Sequence, residues 1–291
     1  MESFGGYTEN LKQFNVSNLR VSTSFRSSYF DRDTNCKIDF TQNRVINNIV
    51  KINLNYVNIC NNFFNIASYN NRYSFIVIIN GVPSVYDDIV PPDYWTVTEL
   101  ADYIQSSITN GTGASATTVV WNEDLRRFVI NTNDATIKIR FNVLQPIRNF
   151  LGNNFLHIIG LDPLGVGYEA TDVDSPFPFP PNLAGATSVY IMSDKLCSGK
   201  SILNVIGGND ANTSRDIQSQ SSNEIMSFGI TAPYGAYQTY YSQGDDRAEF
   251  VYSQGFSLDS LDLKFTDEYG NILETDAKNT PIYLSFKITY Q

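Results

Sequence analysis

Residues 258–291 read LDSLDLKFTDEYGNILETDAKNTPIYLSFKITYQ, and two runs within them decide the fold. Leu261, Leu263 and Phe265 alternate with Asp262, Lys264 and Thr266. Beyond a turn at residues 267–271, Ile282, Leu284, Phe286, Ile288 and Tyr290 alternate with Tyr283, Ser285, Lys287 and Thr289. A period of two puts successive side chains on opposite faces of a strand, one buried and one facing water or a neighbour. A partner lies near the front of the chain at residues 45–56, where Ile46, Val50, Ile52, Leu54 and Tyr56 recur on one expected face. A last strand that needs an early strand beside it points to a closed β-sandwich.

Composition narrows the class. A chain of 291 residues forms one large domain or two small ones and buries roughly 75% of its unfolded surface. Only 17% of residues are charged, while 18 Tyr and 19 Phe sit among 18 Gly and 11 Pro, which suits short strands and many turns. The net charge of −10 argues against a nucleic-acid partner, because phosphate contacts need clustered Lys and Arg. So little charge on so large a chain marks a surface covered by other proteins, or else the codon bias of an A/T-rich genome. Cys36, Cys60 and Cys197 form no pairing motif, and an odd count argues against a disulfide framework. The sequence is expected to carry no signal peptide and no membrane span, and to be made in a reducing cytosol.

In chain order, residues 1–18 lack periodicity and are expected to be an N-terminal arm. Residues 73–79 form a strand closed by Asn80-Gly81, the strongest two-residue turn signal present. Thr96 and Glu99 make a capping box ahead of Val97, Leu100, Ala101, Ile104 and Ile108, whose spacing is helical up to Asn110-Gly111. Strands follow at 117–121, 127–131 and 136–141, then a short helix at 146–151. Residues 161–181 are rich in Asp, Gly and Pro and form a surface connection. Period two then returns at 187–192, 202–206, 225–231, 237–241 and 249–252. The expected architecture is therefore mainly β, a jelly-roll β-sandwich from residues 19–70 plus 183–291, interrupted by a small α+β insertion with its Pro-rich return over 71–182.

A search for chemistry yields no enzyme, no cofactor and no metal site. His157, the single histidine, lies in the apolar run Phe155-Leu156-His157-Ile158-Ile159 and is expected to be packed. Gly199-Lys200-Ser201 copies the tail of a phosphate-binding loop, but Asp194 stands where the first glycine belongs and would repel phosphate. Gly165-Val166-Gly167-Tyr168-Glu169-Ala170 fits a dinucleotide fingerprint only loosely and is expected to be loop. Asp31, Asp33 and Asn35 mimic the start of a calcium loop, yet Cys36 and Gln42 occupy the positions of its Gly and Glu, so a solvated turn or a weak cation site is expected. The acidic pairs Asp87-Asp88, Asp172 with Asp174, and Asp245-Asp246 fall on expected loops. Tyr234, Tyr237, Tyr240 and Tyr241 form either a contact face or core packing; Tyr237 and Tyr241 share one strand face and Tyr240 takes the other.

Three stretches carry a resemblance: the asparagine-punctuated run from Ile46 to Ile66; the unit from Ile78-Ile79-Asn80-Gly81 through the Thr96–Ile108 helix to Phe155–Leu161; and the ending from Leu261 to Tyr290. In their pattern and order the chain resembles the penton, or minor capsid, proteins of virophages and Maverick/Polinton-type elements. The resemblance implies a jelly-roll virion protein that forms homopentamers at icosahedral fivefold vertices, among capsomers of a double jelly-roll major capsid protein. It carries over no catalytic residues. The alternative, from another class, is a jelly-roll module binding carbohydrate or a host receptor through its tyrosines. On the capsid reading, the outward positions Lys51, Asn53 and Asn55, the positions Ser285, Lys287 and Thr289, and Tyr237, Tyr240 and Tyr241 are candidates for contact with a neighbouring subunit; plain solvent exposure is the alternative for each.

Overall fold

A computed structural model of the chain describes residues 14–25, 34–40, 45–141, 155–161, 167–198, 223–242, 249–275 and 280–291. In chain order the strands are β1 (Asn15–Ser22), β2 (Asn35–Asp39), β3 (Ile46–Cys60), β4 (Arg72–Ile79) and β5 (Val82–Ile89), followed by helix α1 (Val97–Thr109). Next come β6 (Thr118–Asn122), β7 (Arg127–Asn131), β8 (Ile137–Phe141), helix α2 (Phe155–Ile158), β9 (Tyr168–Ala170) and β10 (Ser175–Pro176). The chain closes with β11 (Ser188–Met192), helix α3 (Asp194–Cys197), β12 (Glu224–Gly229), β13 (Tyr237–Tyr241), β14 (Glu249–Leu258), β15 (Ser260–Thr266) and β16 (Tyr283–Tyr290). Two compact units result: Met1–Asn61, Ser188–Ile272 and Ala277–Gln291 make the first, Asn62–Thr187 and Leu273–Asp276 the second. Among the described residues no helix is long and apolar enough to cross a membrane.

The first unit is a jelly roll. One sheet runs β1-β16-β3, and the far edge of β3 pairs with β13 along residues 56–60 and with β14 along residues 46–53. The other runs β12-β11-β15-β2, and every pairing in both is antiparallel. With β13 and β14 sharing one position, the chain crosses between sheets from β1 to β2, back to β3, over to β11 and β12, and then alternates through β13/β14, β15 and β16. That wrapping is the double Greek key of a jelly roll. Leu19, Ile52, Phe286 and Ile288 of the first sheet and Leu261 of the second line one shared apolar interior. The terminal strand does pair with the early one, as the sequence leads one to expect.

The register of that pair explains a misreading of β3. Strand β16 keeps one phase throughout, burying Leu284, Phe286 and Ile288 on its inner face. Strand β3 buries the expected Ile52 and Leu54, but Ile49, Val57 and Ile59 in place of Ile46, Val50 and Tyr56, with two gaps of three residues. Tyr290 faces Ile49 while Thr289 faces Lys51, and Phe286 faces Leu54 while Ser285 faces Tyr56, so Val50 and Asn55 are the extra residues of two bulges. Each bulge flips the phase of the strand, and together they set Leu284 opposite Val57, Phe286 opposite Leu54 and Ile288 opposite Ile52.

A second device fixes α3 against β15. The Asp262 carboxylate accepts hydrogen bonds from the Ser193 hydroxyl at 2.7 Å, the Asp194 amide at 2.8 Å and the Lys195 amide at 2.9 Å, while Ser193 caps the Leu196 amide at 3.1 Å. Partial burial pushes the Asp262 carboxyl up, but the bonds from Ser193, Lys195 and Asp194 outweigh it and hold the group below the usual range. A depressed folded-state pKa contributes stability that is present above the unfolded value of about 3.9 and is lost as pH falls through the folded value. Asp262→Asn is therefore expected to cost about 1–2 kcal/mol at neutral pH, a modest figure because the group is only half covered. It should also flatten the acid limb of stability below about pH 4; urea melts of both proteins from neutral to acid pH would read this, and parallel curves would contradict it.

In the second unit β4 and β5 form a hairpin closed by Asn80 (φ 51°) and Gly81 (φ 81°), the left-handed pair of a type I′ turn. They lie in the sheet β5-β4-β8-β9; a smaller sheet runs β10-β7-β6. Helix α1 carries the expected capping box, with Thr96 and Glu99 each satisfying the other's backbone amide. Its Leu100, Ala101, Ile104 and Ile108 enter a core built on aromatic rings, where Tyr73 lies 4.9 Å from Phe155 and Tyr168 meets Phe177 edge-on at 4.9 Å.

Several expectations are corrected. Strand β1 starts at Asn15, inside the expected arm, because Asn15–Asn18 pair with Tyr290–Lys287 of β16. Residues 62–70 lie in the second unit: Asn65 bonds the Trp95 and Leu183 carbonyls, and Ser68 bonds the Glu274 carboxylate. Asp87 and Asp88 are on strand β5 rather than a loop. His157 is exposed, because α2 turns Phe155 and Leu156 inward and carries residue 157 to the outside. Residues 168–170 are strand, so no helix follows Gly167 as a dinucleotide site would need. Asp31, Asp33, Gln42, the helix expected at 146–151, Gly165, Val166, Gly199-Lys200-Ser201, the strand at 202–206 and Asp245-Asp246 lie outside the described residues.

Candidate contact surface

The outward side of the sheet formed by β1, β16 and β3, with β13 and β14 on its edge, gathers most of the candidate residues. Residues directly opposite on paired strands share a face, so the ladder itself lays out the rows. Val16, Thr289, Lys51 and Val251 form one row, and Asn18, Lys287, Asn53 and Glu249 the next. Arg20, Ser285, Tyr56 and Tyr241 follow, then Ser22, Tyr283, Asn58 and Thr239. Tyr237, two residues from Thr239, extends the same face. The bulge at Asn55 makes this possible: it shifts Tyr56 and Asn58 outward to continue the face that Lys51 and Asn53 begin.

The two ends of the face differ in chemistry. At one end Lys51 Nζ lies 2.6 Å from Glu249 Oε1, and the Asn53 amide donates to Glu249 Oε2 at 2.9 Å. Lys51, and after it Asn53, hold the Glu249 carboxyl below its usual range. At the other end Tyr56 and Tyr241 rings lie 6.1 Å apart, and Tyr237, Tyr241 and Tyr283 are 54%, 61% and 44% exposed. Val251, opposite Lys51, and Val16, opposite Thr289, are more than half exposed. Apolar and aromatic side chains standing exposed together are common at contact faces.

Each expected residue has a definite place. Lys287 is exposed and Thr289 half-buried on the face. Ser285 is buried at 5%, a correction: a short side chain between Arg20 and Tyr56 is overtopped by both. Asn55 is half-buried in its bulge, and its carbonyl accepts from the Ser242 amide at 2.9 Å. Tyr240, on the opposite strand face, is half-buried and stacks on the buried Phe228 at 5.2 Å and 14°, so of the expected tyrosines it is the one that packs against the core. Tyr56, Glu249, Val16 and Val251 are not among the residues expected on this surface, while Tyr283 falls on the outward side of the alternation expected for β16; three-residue gaps between apolar positions in β3 are the signal that places Tyr56 outward.

These strands and their order define a jelly roll with one broad outer sheet face. A crystal structure of the selenomethionine-labelled mavirus penton protein is similar to this chain, 12% identical, spanning 95% of this chain and 99% of that one with a TM-score of 0.49. No protein-family profile and no curated protein sequence matches the chain.

Proposed function

We propose that the chain is a structural capsid protein, a penton whose homopentamers occupy the fivefold vertices of an icosahedral virion among capsomers of a double jelly-roll major capsid protein. The observation that carries this is the outer sheet face, where Tyr237, Tyr241, Tyr283, Val16 and Val251 stand exposed around a lattice of paired polar groups. Jelly rolls serve as capsid walls because their wrapped strands leave few open edges. A five-membered ring needs a heterologous interface, in which one surface of each copy meets a different surface of the next, and this face supplies one side. The role is architectural rather than catalytic, and the protein resides in the virion after synthesis in the host cytoplasm. The second unit, carried between β3 and β11, is an insertion domain of the jelly roll. A cryo-electron map of particles carrying this chain is expected to show five copies at each vertex; vertices built by another protein would refute the assignment.

A further inference from the structure

The second unit holds an unusual edge. Strand β5 pairs with β4 alone among the described strands, yet it exposes Val82 and Val85 at 67% and Ile89 at 51%. Proteins usually blunt such an edge with charge, proline or a covering element, because unpaired amides and carbonyls invite another strand. Here Pro83 shields the start, and Asp87 and Asp88 add negative charge that repels an acidic strand but not a basic one. The two-residue turn makes Ile79 and Val82 the closing hydrogen-bonded pair, so Val82, Ser84, Tyr86 and Asp88 bond inward to β4 and residues 83, 85, 87 and 89 turn their backbone groups outward. The outward groups of Ile89 are already taken: its amide donates to Asp88 at 2.8 Å and its carbonyl accepts from Tyr103 at 3.0 Å. Val85 and Asp87 present the open rungs.

Beside this edge, between β5 and α1, lies a cleft of about 350 Å³ lined by Tyr86, Asp87, Asp88, Tyr103, Ser107 and Asn110 among others. Among the described residues no lysine or arginine borders it. The Asp88 carboxylate is held from behind by the Tyr73 hydroxyl at 3.2 Å and, also at 3.2 Å, by the Tyr103 hydroxyl, whose one proton is shared with the Ile89 carbonyl. Burial, and then the charge of Asp88, push the Tyr103 hydroxyl up to about 12, so it stays a donor. The cleft thus offers a preoriented anion and aromatic walls to a cation.

We infer that β5 is a docking edge for an extended peptide segment in which apolar and basic residues alternate. Its backbone adds a strand at Val85 and Asp87; its apolar side chains cover Val85 and Ile89 on the outer face, and a Lys or Arg on the other face enters the cleft toward Asp88. Strand addition of this kind draws affinity from main-chain bonds and selectivity from pockets for alternate side chains. The inference is independent of the jelly-roll face.

Fluorescence anisotropy with the full chain and a labelled, capped peptide alternating valine with lysine tests it. Saturable binding is expected, with loss for a valine–glutamate peptide and for the same valine–lysine peptide N-methylated at alternate amides. Val85→Pro removes one outward amide without touching the bonds to β4 and should weaken binding about tenfold or more, as should Asp88→Asn. Val85→Lys, at an exposed position, gives the same loss by charge repulsion should the proline variant fold poorly. Equal binding of the N-methylated peptide, or unchanged binding by Val85→Lys and Asp88→Asn, would overturn the inference.

Discussion

Phe286→Ala is expected to cost about 3–5 kcal/mol of folding stability, the range for truncating a fully buried phenylalanine. Phe286 is 1% exposed at the middle of β16, faces Leu54 across the ladder and lines the interior shared by both sheets with Ile52, Leu261 and Ile288. Its loss opens a void where the two layers meet, and flanking strands locked in register cannot collapse into it. Lys287→Ala, one residue on, is exposed and should stay within about 0.5 kcal/mol of the parent. Urea unfolding of the pair checks this, and a loss below about 1 kcal/mol for Phe286→Ala would mean that the sheets do not close over this residue.

Gly160→Ala should be comparably severe in the second unit. Gly160 has φ +90°, and a Cβ there would lie 2.1 Å from the Phe179 carbonyl oxygen, which is backbone and cannot swing away. The contact exists because the Phe179 amide bonds the Gly160 carbonyl at 3.0 Å, drawing the return segment against the end of α2. A positive φ costs an L-residue about 1–2 kcal/mol, and forced overpacking adds about 1–3 kcal/mol. Hydrogen exchange should show lost protection at Tyr73, Phe75 and Val77, whose rings and methyls share the core of this unit. Gly81→Ala, with open space around its Cβ, carries only the backbone cost and should be milder. Equal effects at the two glycines would contradict the steric account.

What the sequence makes legible follows the physics of each signal. The apolar face of β16 at Leu284, Phe286 and Ile288, the Thr96–Glu99 capping box and the Asn80-Gly81 turn are local signals, and all three stand in the structure as expected. The face of β3 was not legible, because its two bulges answer to the register of β16, more than two hundred residues away in the chain. Strand β5 escaped notice because edge strands need no buried face: Pro83, Asp87 and Asp88 look like loop until β4 pairs with them. His157 misled because an apolar run looks alike whether it forms a strand or a helical turn, and only the turn carries residue 157 outward. At the contact surface Lys51, Asn53, Lys287 and Thr289 take outward positions as expected, whereas Asn55 is the extra residue of a bulge and the outward face continues at Tyr56. Ser285 fails there because its exposure depends on the length of Arg20 and Tyr56, which are neighbours only across strands.

Sedimentation velocity of the full chain at high protein concentration, with and without the major capsid protein and beside a Tyr241→Glu variant, tests the central claim most directly. Tyr241 is 61% exposed at the aromatic end of the outer sheet face, so the substitution should leave the fold and its melting intact. The account predicts a species of five protomer masses for the parent and a single protomer for Tyr241→Glu. A parent that stays a single protomer under every condition, or a pentamer indifferent to Tyr241→Glu, would contradict it.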